Sequence, residues 1–367
     1  MAKFKLKDFA KDISVAIKDA QSSPLKQFVG LEHYDSGEPV ITRFTDTSLI
    51  SSSVKEFKEN DILIARRNVY LRRAGIAFFS GLTSGDSIIL RIYDDCEEKT
   101  GIPKEDAIKI LPFILNSNDF WNYANKHADG MNSKRISKDM LYDYEFDLPS
   151  LSEQKILADK LWAAYRLKES YKKLLAATDE MVKSQFIEMF KEAPRIELGK
   201  MASFINGSAF KPEEWSSDGL PIVRIQNLTQ YDSPYNYYDG DTTKKIVIDN
   251  GDMLVSWSAT LGVFLWSKGK ALLNQHIFKV SFDKLDVNKD FFVYAVKLAL
   301  DKMSEVAHGS TMRHVVKKDF NETIVANPSI NDQESFALIA KQADKSKFEL
   351  RKSIDAIDAV IKSLINN

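Results

Sequence analysis

The chain carries one cysteine, Cys96, in 367 residues. A lone thiol excludes an internal disulfide framework and any multi-cysteine zinc site, and it fits a reducing compartment. Histidine is scarce as well: His33, His127, His276, His308 and His314 show no paired ligand spacing, so no structural metal is expected. No run approaches the roughly 20 apolar residues that span a bilayer. The N-terminal stretch is broken by Asp8, Asp12 and Asp19 and lacks the apolar centre of a signal peptide. A cytoplasmic protein without membrane contact is expected. Charge of one sign is missing too. The formal net charge is −1, against a chain that grips a polyanion by bulk charge alone, although a local basic face remains compatible with it.

Catalytic signatures are absent in the same way. There is no G-x-x-x-x-G-K-[ST] loop and no Gly-rich strand–turn–helix fingerprint. No acidic cluster stands beside a lysine as a nuclease centre would require. Asn327-Pro328-Ser329-Ile330 superficially matches the Asn-Pro-Pro-aromatic tetrad of amino-methyltransferases, but it lacks the second proline and the aromatic. A catalytic role finds no support.

What the chain does have is one helical segment written twice, 179 residues apart. The first copy opens at Leu148-Pro149-Ser150-Leu151-Ser152-Glu153-Gln154 and the second at Asn327-Pro328-Ser329-Ile330-Asn331-Asp332-Gln333. Lys168/Lys347, Asp179/Asp358 and Lys183/Lys362 coincide at the same offset, whereas the segments ahead of each copy match far less well. Repeated spacers around varied inserts suit a reader of two different things at a set distance. Ser152 is the expected N-cap of the first copy. Its apolar stripe is expected through Leu157 and Leu161, then Leu174 and Met181, and that of the second copy through Leu350, Ile354, Ile357, Ile361 and Leu364. Helices of roughly 35 to 40 residues, about 55 to 60 Å long, need a partner, and an antiparallel coiled coil between the copies supplies one.

The expected fold class is α+β. Two mixed α/β domains, 1–148 and 194–327, are separated by the long helices of 149–193 and 328–367 in a pseudo-twofold repeat. Strand-like runs stand at 61–65, 87–92, 220–225 and 253–257, and helical ones at 105–111 and 119–126. In the second domain the strings NGSAFK (206–211), RIQNL (224–228), SWSATLG (256–262), LNQHIFKV (273–280) and HGSTMRHV (308–315) place polar side chains at strand ends and in loops. Arg, Gln and Asn read purine edges, and Ser and Thr suit phosphate. Asn227 and His276 equally suit structural hydrogen bonding, and Trp257 reads as core. In the first domain Arg66, Arg67, Arg72 and Arg73 crowd the loop after a strand, where phosphate or base contact is one reading and a solvated loop the other. Residues 129–136, with Lys134 and Arg135, occupy the place held by 308–315 in the second domain.

These strings and the P-S-x-x-x-Q helix entries resemble the specificity subunit of Type I restriction-modification systems, over essentially the full chain. The first domain is divergent, as the variable target-recognition domains of that family are. The resemblance implies a non-catalytic subunit whose two target-recognition domains each read one half of a split, asymmetric site in double-stranded DNA. The helix pair would set the spacer and dock two modification (methyltransferase) subunits. Restriction subunits, ATP-driven translocase and nuclease, would join them, so that adenosylmethionine and ATP sit on partners and no cofactor on this chain. Carried over residue by residue, the DNA-contact candidates of the second domain are Lys211, Arg224, Gln226, Asn227, Ser258, Gln275, Arg313 and His314. Arg66, Arg67, Arg72, Arg73, Lys134 and Arg135 in the first domain rest on charge and placement. Two readings compete with this one: a coiled-coil adaptor that binds protein without reading DNA, and a self-sufficient DNA-modifying enzyme.

Overall fold

The repeated Pro-Ser-x-x-x-Gln stretch is a helix entry closed by its own side chains. The computed structural model describes residues 2–50, 52–131, 133–230, 232–306 and 316–366. In it the first long helix is Leu151–Met189 and the second Ile330–Asn366, 39 and 37 residues. Ser150 stands at the N-cap, two residues ahead of the expected Ser152. Glu153 accepts from the Ser150 amide at 3.0 Å and from its hydroxyl at 2.6 Å. In the second copy Ser329 Oγ accepts the Asp332 amide at 3.3 Å and donates to its carboxylate at 2.6 Å. Such caps satisfy amides that a helix start leaves unpaired and stabilise it by about 1 kcal/mol. The glutamine completes the motif. Gln154 Nε2 donates to the Pro149 carbonyl at 2.9 Å and Gln333 Nε2 to the Pro328 carbonyl at 3.0 Å, both from buried side chains.

The chain divides into two compact units, Met1–Lys172 with Arg351–Asn367, and Lys173–Leu350. In the first, the buried residues of the first long helix are Gln154, Ala158, Leu161, Tyr165 and Lys168. They step by four and three, as a helix-pairing seam does. In the second unit Val182, Phe186 and Phe190 are buried on the same helix, and Gln333, Ala337, Ala340 and Lys347 repeat the first set on the other. The stripe expected from the sequence leaves this seam only in the C-terminal half of the first helix. Leu161 is in it, and Leu157, Leu350, Ile354, Ile357, Ile361 and Leu364 are partly buried, but Leu174 and Met181 are 50% and 54% exposed. The seam carries lysine where an apolar pattern looks for leucine.

That lysine is the feature the two units share. In the first, Lys168 Nζ reaches Glu38 at 2.7 Å and also Asp358 on the other helix. In the second, Lys347 Nζ reaches Asp179 at 2.8 Å across the helix pair and Asp344 at 2.7 Å. Lys168 and Lys347 are repeat equivalents, as are Asp179 and Asp358, so each unit holds the same bridge with the copies exchanged. Antiparallel pairing of two copies of one segment produces this self-complementary pattern. Burial works against the charge on Lys347, but its hydrogen bonds to Asp179 and Asp344 outweigh it and raise its pKa. Burial likewise opposes ionisation of Glu38, and Lys168 and then Lys172 overcome it and hold the carboxyl below its ordinary value.

Each unit has the same sheet plan. In the first, Ala10–Asp12, Ser87–Ile92, Ile62–Ala65 and Ala74–Ile76 form an antiparallel sheet in that order. Beside it run Ala16–Ile17, Val54–Phe57, Gly81–Ser84, Gln27–Val29 and Thr45–Asp46, with the Gly81–Ser84 and Gln27–Val29 strands parallel. In the second, Ser203–Asn206, Ile277–Ser281, Met253–Ser256 and Gly262–Leu265 repeat the first sheet. Asn236–Tyr238, Leu220–Val223, Ala271–Leu273 and Val247–Ile248 repeat the other, again with one parallel pair, Leu220–Val223 and Ala271–Leu273. Ile62, Ile64, Ile88 and Leu90 alternate inward onto a core that includes Leu161 and Tyr165 of the long helix. In the second unit Met253, Val255, Phe278 and Val280 do the same against Phe186 and Phe190. Cys96 is fully buried in the first core. Among the described residues no helix is long and apolar enough to cross a membrane.

Replacing Lys168 by methionine removes the Glu38 and Asp358 partners together and should lower stability by about 2 kcal/mol in urea unfolding. Glu38 has a depressed pKa, so its contribution is present above its unfolded value of 4.5 and fades as pH falls through the lower folded value. The wild type should therefore lose stability below about pH 4.5, and Lys168→Met should lose less over that range. Equal acid sensitivity in both proteins would remove Glu38 from the account.

Candidate nucleic-acid interface

In each unit four chain segments meet at one rim because the strands beneath them end together. In the first, Val29 and Thr83 are register partners, as are Ala65 and Ser87. The residues that follow or precede them, Gly30 onward, Asp86 and Arg66 to Asn68, therefore share an edge. The 133–136 segment is tied there by Asn68 N–H to the Lys134 carbonyl, 2.7 Å, and Ile136 N–H to the Arg66 carbonyl, 3.0 Å. In the second unit Val223 pairs with Leu273 and Ser256 with Ile277. That brings together 224–226, 274–276 and 257–259. Asn206–Ser208 joins them through Gly207 N–H to Ile277 O at 2.9 Å and Ser208 N–H to Leu273 O at 2.7 Å. A Cβ on Gly207 would lie 2.1 Å from the Asn274 carbonyl oxygen, so this step of the NGSAFK string admits only glycine.

The backbone repeats even its strain. Asn68 and Ala259 stand at the same place past equivalent strands, with φ of 54° and 57°. Neither is glycine, and left-handed conformation costs an alanine roughly 1 kcal/mol. The turn before each strand is matched as well, with Asn60 at φ 69° and Gly251 at 87°.

On the first rim the structure gathers three of the sequence candidates around a carboxylate that the sequence reading missed. Arg66 Nε and Arg67 Nη1 each lie 3.7 Å from an Asp86 oxygen, and Arg135 Nη2 lies 3.3 Å from Oδ2. Arg67 Nε also donates to Ser133 Oγ at 2.7 Å, and Arg67 and Arg135 pair as an antiparallel bridge. Lys134, next to Arg135 in the chain, is exposed. Arg73 has another job. Its guanidinium donates to the Leu31 and Arg67 carbonyls, both at 2.9 Å, and burial pulls its pKa down. It ties two rim segments together instead of offering donors outward. Arg72 donates to Asn118 Oδ1 at 2.9 Å from a left-handed backbone.

The second rim is aromatic as much as cationic. Arg224 lies over the Trp215 ring at 5.4 Å and donates to Asn236 Oδ1 at 3.0 Å. Gln226 is half-buried and Lys211 and Gln275 are exposed. Gln275 Nε2 is 3.3 Å from His276 Nε2, and the His276 ring is 5.5 Å from Trp257. Asn227 is not free to read a base. Its Oδ1 accepts the Arg224 amide at 3.0 Å, and its Nδ2 donates to the Ser233 and Pro234 carbonyls, both at 3.1 Å, in a side chain 4% exposed. His33 caps the equivalent turn of the first unit by accepting the Gly30 amide at 2.9 Å. Ser258 is buried too, 6% exposed. Arg313 and His314 lie outside the described residues. The sequence reading missed Trp215, Asn236 and Lys245, which sits 4.4 Å from the Phe210 centroid and 5.1 Å from that of Tyr238. The tyrosines at 235, 237 and 238 followed by Lys244-Lys245 were the available signal.

Residues 192–357 match the family described as the Type I restriction modification DNA specificity domain. The match covers just under half of the chain, most of the second domain and of the second long helix. The EcoBI specificity subunit of Escherichia coli is 26% identical over 164 residues, 43% of this chain and 34% of that protein. The putative MjaX specificity subunit of Methanocaldococcus jannaschii is 22% identical over 287 residues, 70% of this chain and 67% of its own length. The chain thus spans about a third of one of these relatives and two thirds of the other. A solved chain from work on complex assembly and conformational transition of the type I R-M system superposes with a TM-score of 0.53 at 15% identity, covering 99% of this chain and 96% of its own. The S subunit from M. genitalium gives 0.51 at 13% identity, covering 99% and 94%. At these identities the likeness is one of fold.

On the second rim the caps and the exposed side chains are separable. Asn227→Ala orphans buried backbone groups and should lower stability by about 2 kcal/mol. Gln226→Ala, on the same turn, should change it by less than about 0.5 kcal/mol. Thermal unfolding of both variants checks the division, and comparable losses would refute it.

Proposed function

We propose that this chain is the DNA-specificity subunit of a Type I restriction-modification complex, a cytoplasmic protein that reads DNA and catalyses nothing itself. Residues 1–148 and 194–327 act as target-recognition domains, each reading one half of a bipartite, asymmetric site. Residues 149–193 and 328–367 set the spacer. The observation that carries this reading is the rim built twice on one sheet plan with different side chains on it. A scaffold repeated under unlike loops suits two readers of unlike sequence. The contact candidates that remain on the page are Arg66, Arg67, Lys134 and Arg135 on one rim, with Lys211, Arg224, Gln226 and Gln275 on the other. Arg313 and His314 stay candidates on sequence alone.

The partners in this reading are two methyltransferase subunits and the ATP-driven restriction subunits. Adenosylmethionine and ATP would be bound by those chains. Support for docking comes from the long helices, which leave Leu167, Leu174, Met181, Ile187, Leu338, Phe348 and Val360 between 46% and 70% exposed. Apolar side chains in that number on a charged helix surface mark an interaction face. An adaptor that binds protein alone would use the same face, but it gives no reason for the arginines held at the first rim.

Single-molecule methylome sequencing of cells expressing this chain with its methyltransferase subunit should reveal a split motif with adenine methylation in both halves. That methylation should vanish when this chain is deleted, and its persistence would leave the adaptor reading. Separately, Leu174→Glu with Met181→Glu should abolish co-purification of the methyltransferase subunit and shift the unfolding midpoint little, because both side chains are already half in water. Undiminished co-purification would move the docking face elsewhere.

A further inference from the structure

The two rims are built alike but charged differently. Through the strand register Arg66 and Arg67 take the places of Trp257 and Ser258, and Asp86 that of His276. We propose that Asp86 is a positioning residue that holds Arg67 and Arg135 as a pair of forks for the major-groove edge of guanine, so that the half-site of the first unit contains a guanine read at this rim. The inference rests on the DNA-specificity reading above and names what one half of the site must contain.

Three features favour a base edge over a phosphate. First, the guanidinium groups are fixed. Asp86, 22% exposed in its side chain, stands between three arginines, and Ser133 holds Arg67 from the other side. A phosphate offers several oxygens and accepts a fork from many directions, whereas bidentate recognition of O6 and N7 needs the fork in the plane of the base. Second, the forks are not used up. Arg67 and Arg135 are 44% and 46% exposed, and each guanidinium has five N–H donors, of which the Asp86 and Ser133 contacts take a minority. Third, a carboxylate within 4 Å of the forks repels a charged phosphate more strongly than the neutral acceptor edge of a base.

The test uses the full chain in complex with its methyltransferase subunits. Synthetic duplexes carry the methylated split sequence with 7-deazaguanine, which lacks the N7 acceptor, placed at one guanine at a time. Wild-type binding should weaken about tenfold at one guanine of one half, in line with the discrimination a bidentate pair provides. Lysine at whichever of Arg67 and Arg135 reads that guanine, which keeps the charge and loses the fork, should make binding indifferent to that replacement. Asp86→Asn should relax the preference at the same position only, with the salt slope of binding unchanged. If the arginine variants instead weaken every duplex alike, and their alanine forms reduce the salt slope by about one, the arginines hold phosphate and the inference fails. It fails alone if a split sequence is bound with no sensitivity to 7-deazaguanine. A complex that binds no split sequence would overturn the functional reading and this one together.

Discussion

A lysine placed in the seam of a helix pair is the constraint on which this structure turns. An all-apolar seam would pack the two copies of the segment in several registers, since leucine meets leucine equally well one turn along. Lys168 and Lys347 are buried in the seam, and each needs an aspartate from the opposite copy at one position only. A polar residue at such a position specifies register and partner and gives up some stability to do so. In each unit the helix pair also feeds the core, through Leu161 and Tyr165 in one and Phe186 and Phe190 in the other, so a change of register there would disturb that packing. The exchange of roles between copies also means that one lysine and one aspartate in the repeated segment are enough to write both bridges.

Above the helices, the division of labour is between strand and rim. The inward residues of equivalent strands are interchangeable hydrophobes. Ile62 and Ile64 in one unit and Met253 and Val255 in the other fill the same role with little in common beyond size. Rim residues are held by features that do not depend on the outward side chains: a left-handed residue after the strand, and a turn after the parallel pair that an inward side chain caps. Asn68 and Ala259 show the first, His33 and Asn227 the second. A scaffold that dictates loop geometry through main chain leaves the outward side chains free to differ. The arginine–carboxylate group of one rim and the tryptophan–histidine pair of the other are what that freedom looks like.

The repeat, the helix lengths and most strands were legible because their signals are local: turn residues around apolar runs and a segment copied at fixed offset. The seam is legible at Leu161 but not at Leu174 and Met181, because an apolar pattern does not register a buried lysine whose partner is 190 residues away. Ser150 was passed over for Ser152 because both are followed by acidic or amide side chains, and only the hydrogen bonds separate them. Asn227 and Arg73 were read as outward contacts because Asn and Arg carry the same chemistry whether they face DNA or a neighbouring carbonyl. Asp86, unremarkable in a Gly-Asp-Ser turn, gains meaning only when the fold sets three arginines around it.

The burial of Cys96 has a practical side. Its sulfur lies inside the first core, 3.7 Å from the Thr100 hydroxyl, and burial pushes its pKa up, so the thiolate that alkylating dyes attack is suppressed. The natural chain is in effect thiol-silent. A cysteine introduced at Met131, which is 99% exposed beside Ser133 and Arg135, would be the one sulfur a maleimide fluorophore finds. The protein thereby offers an optical report from the edge of its first rim without first being stripped of a native residue.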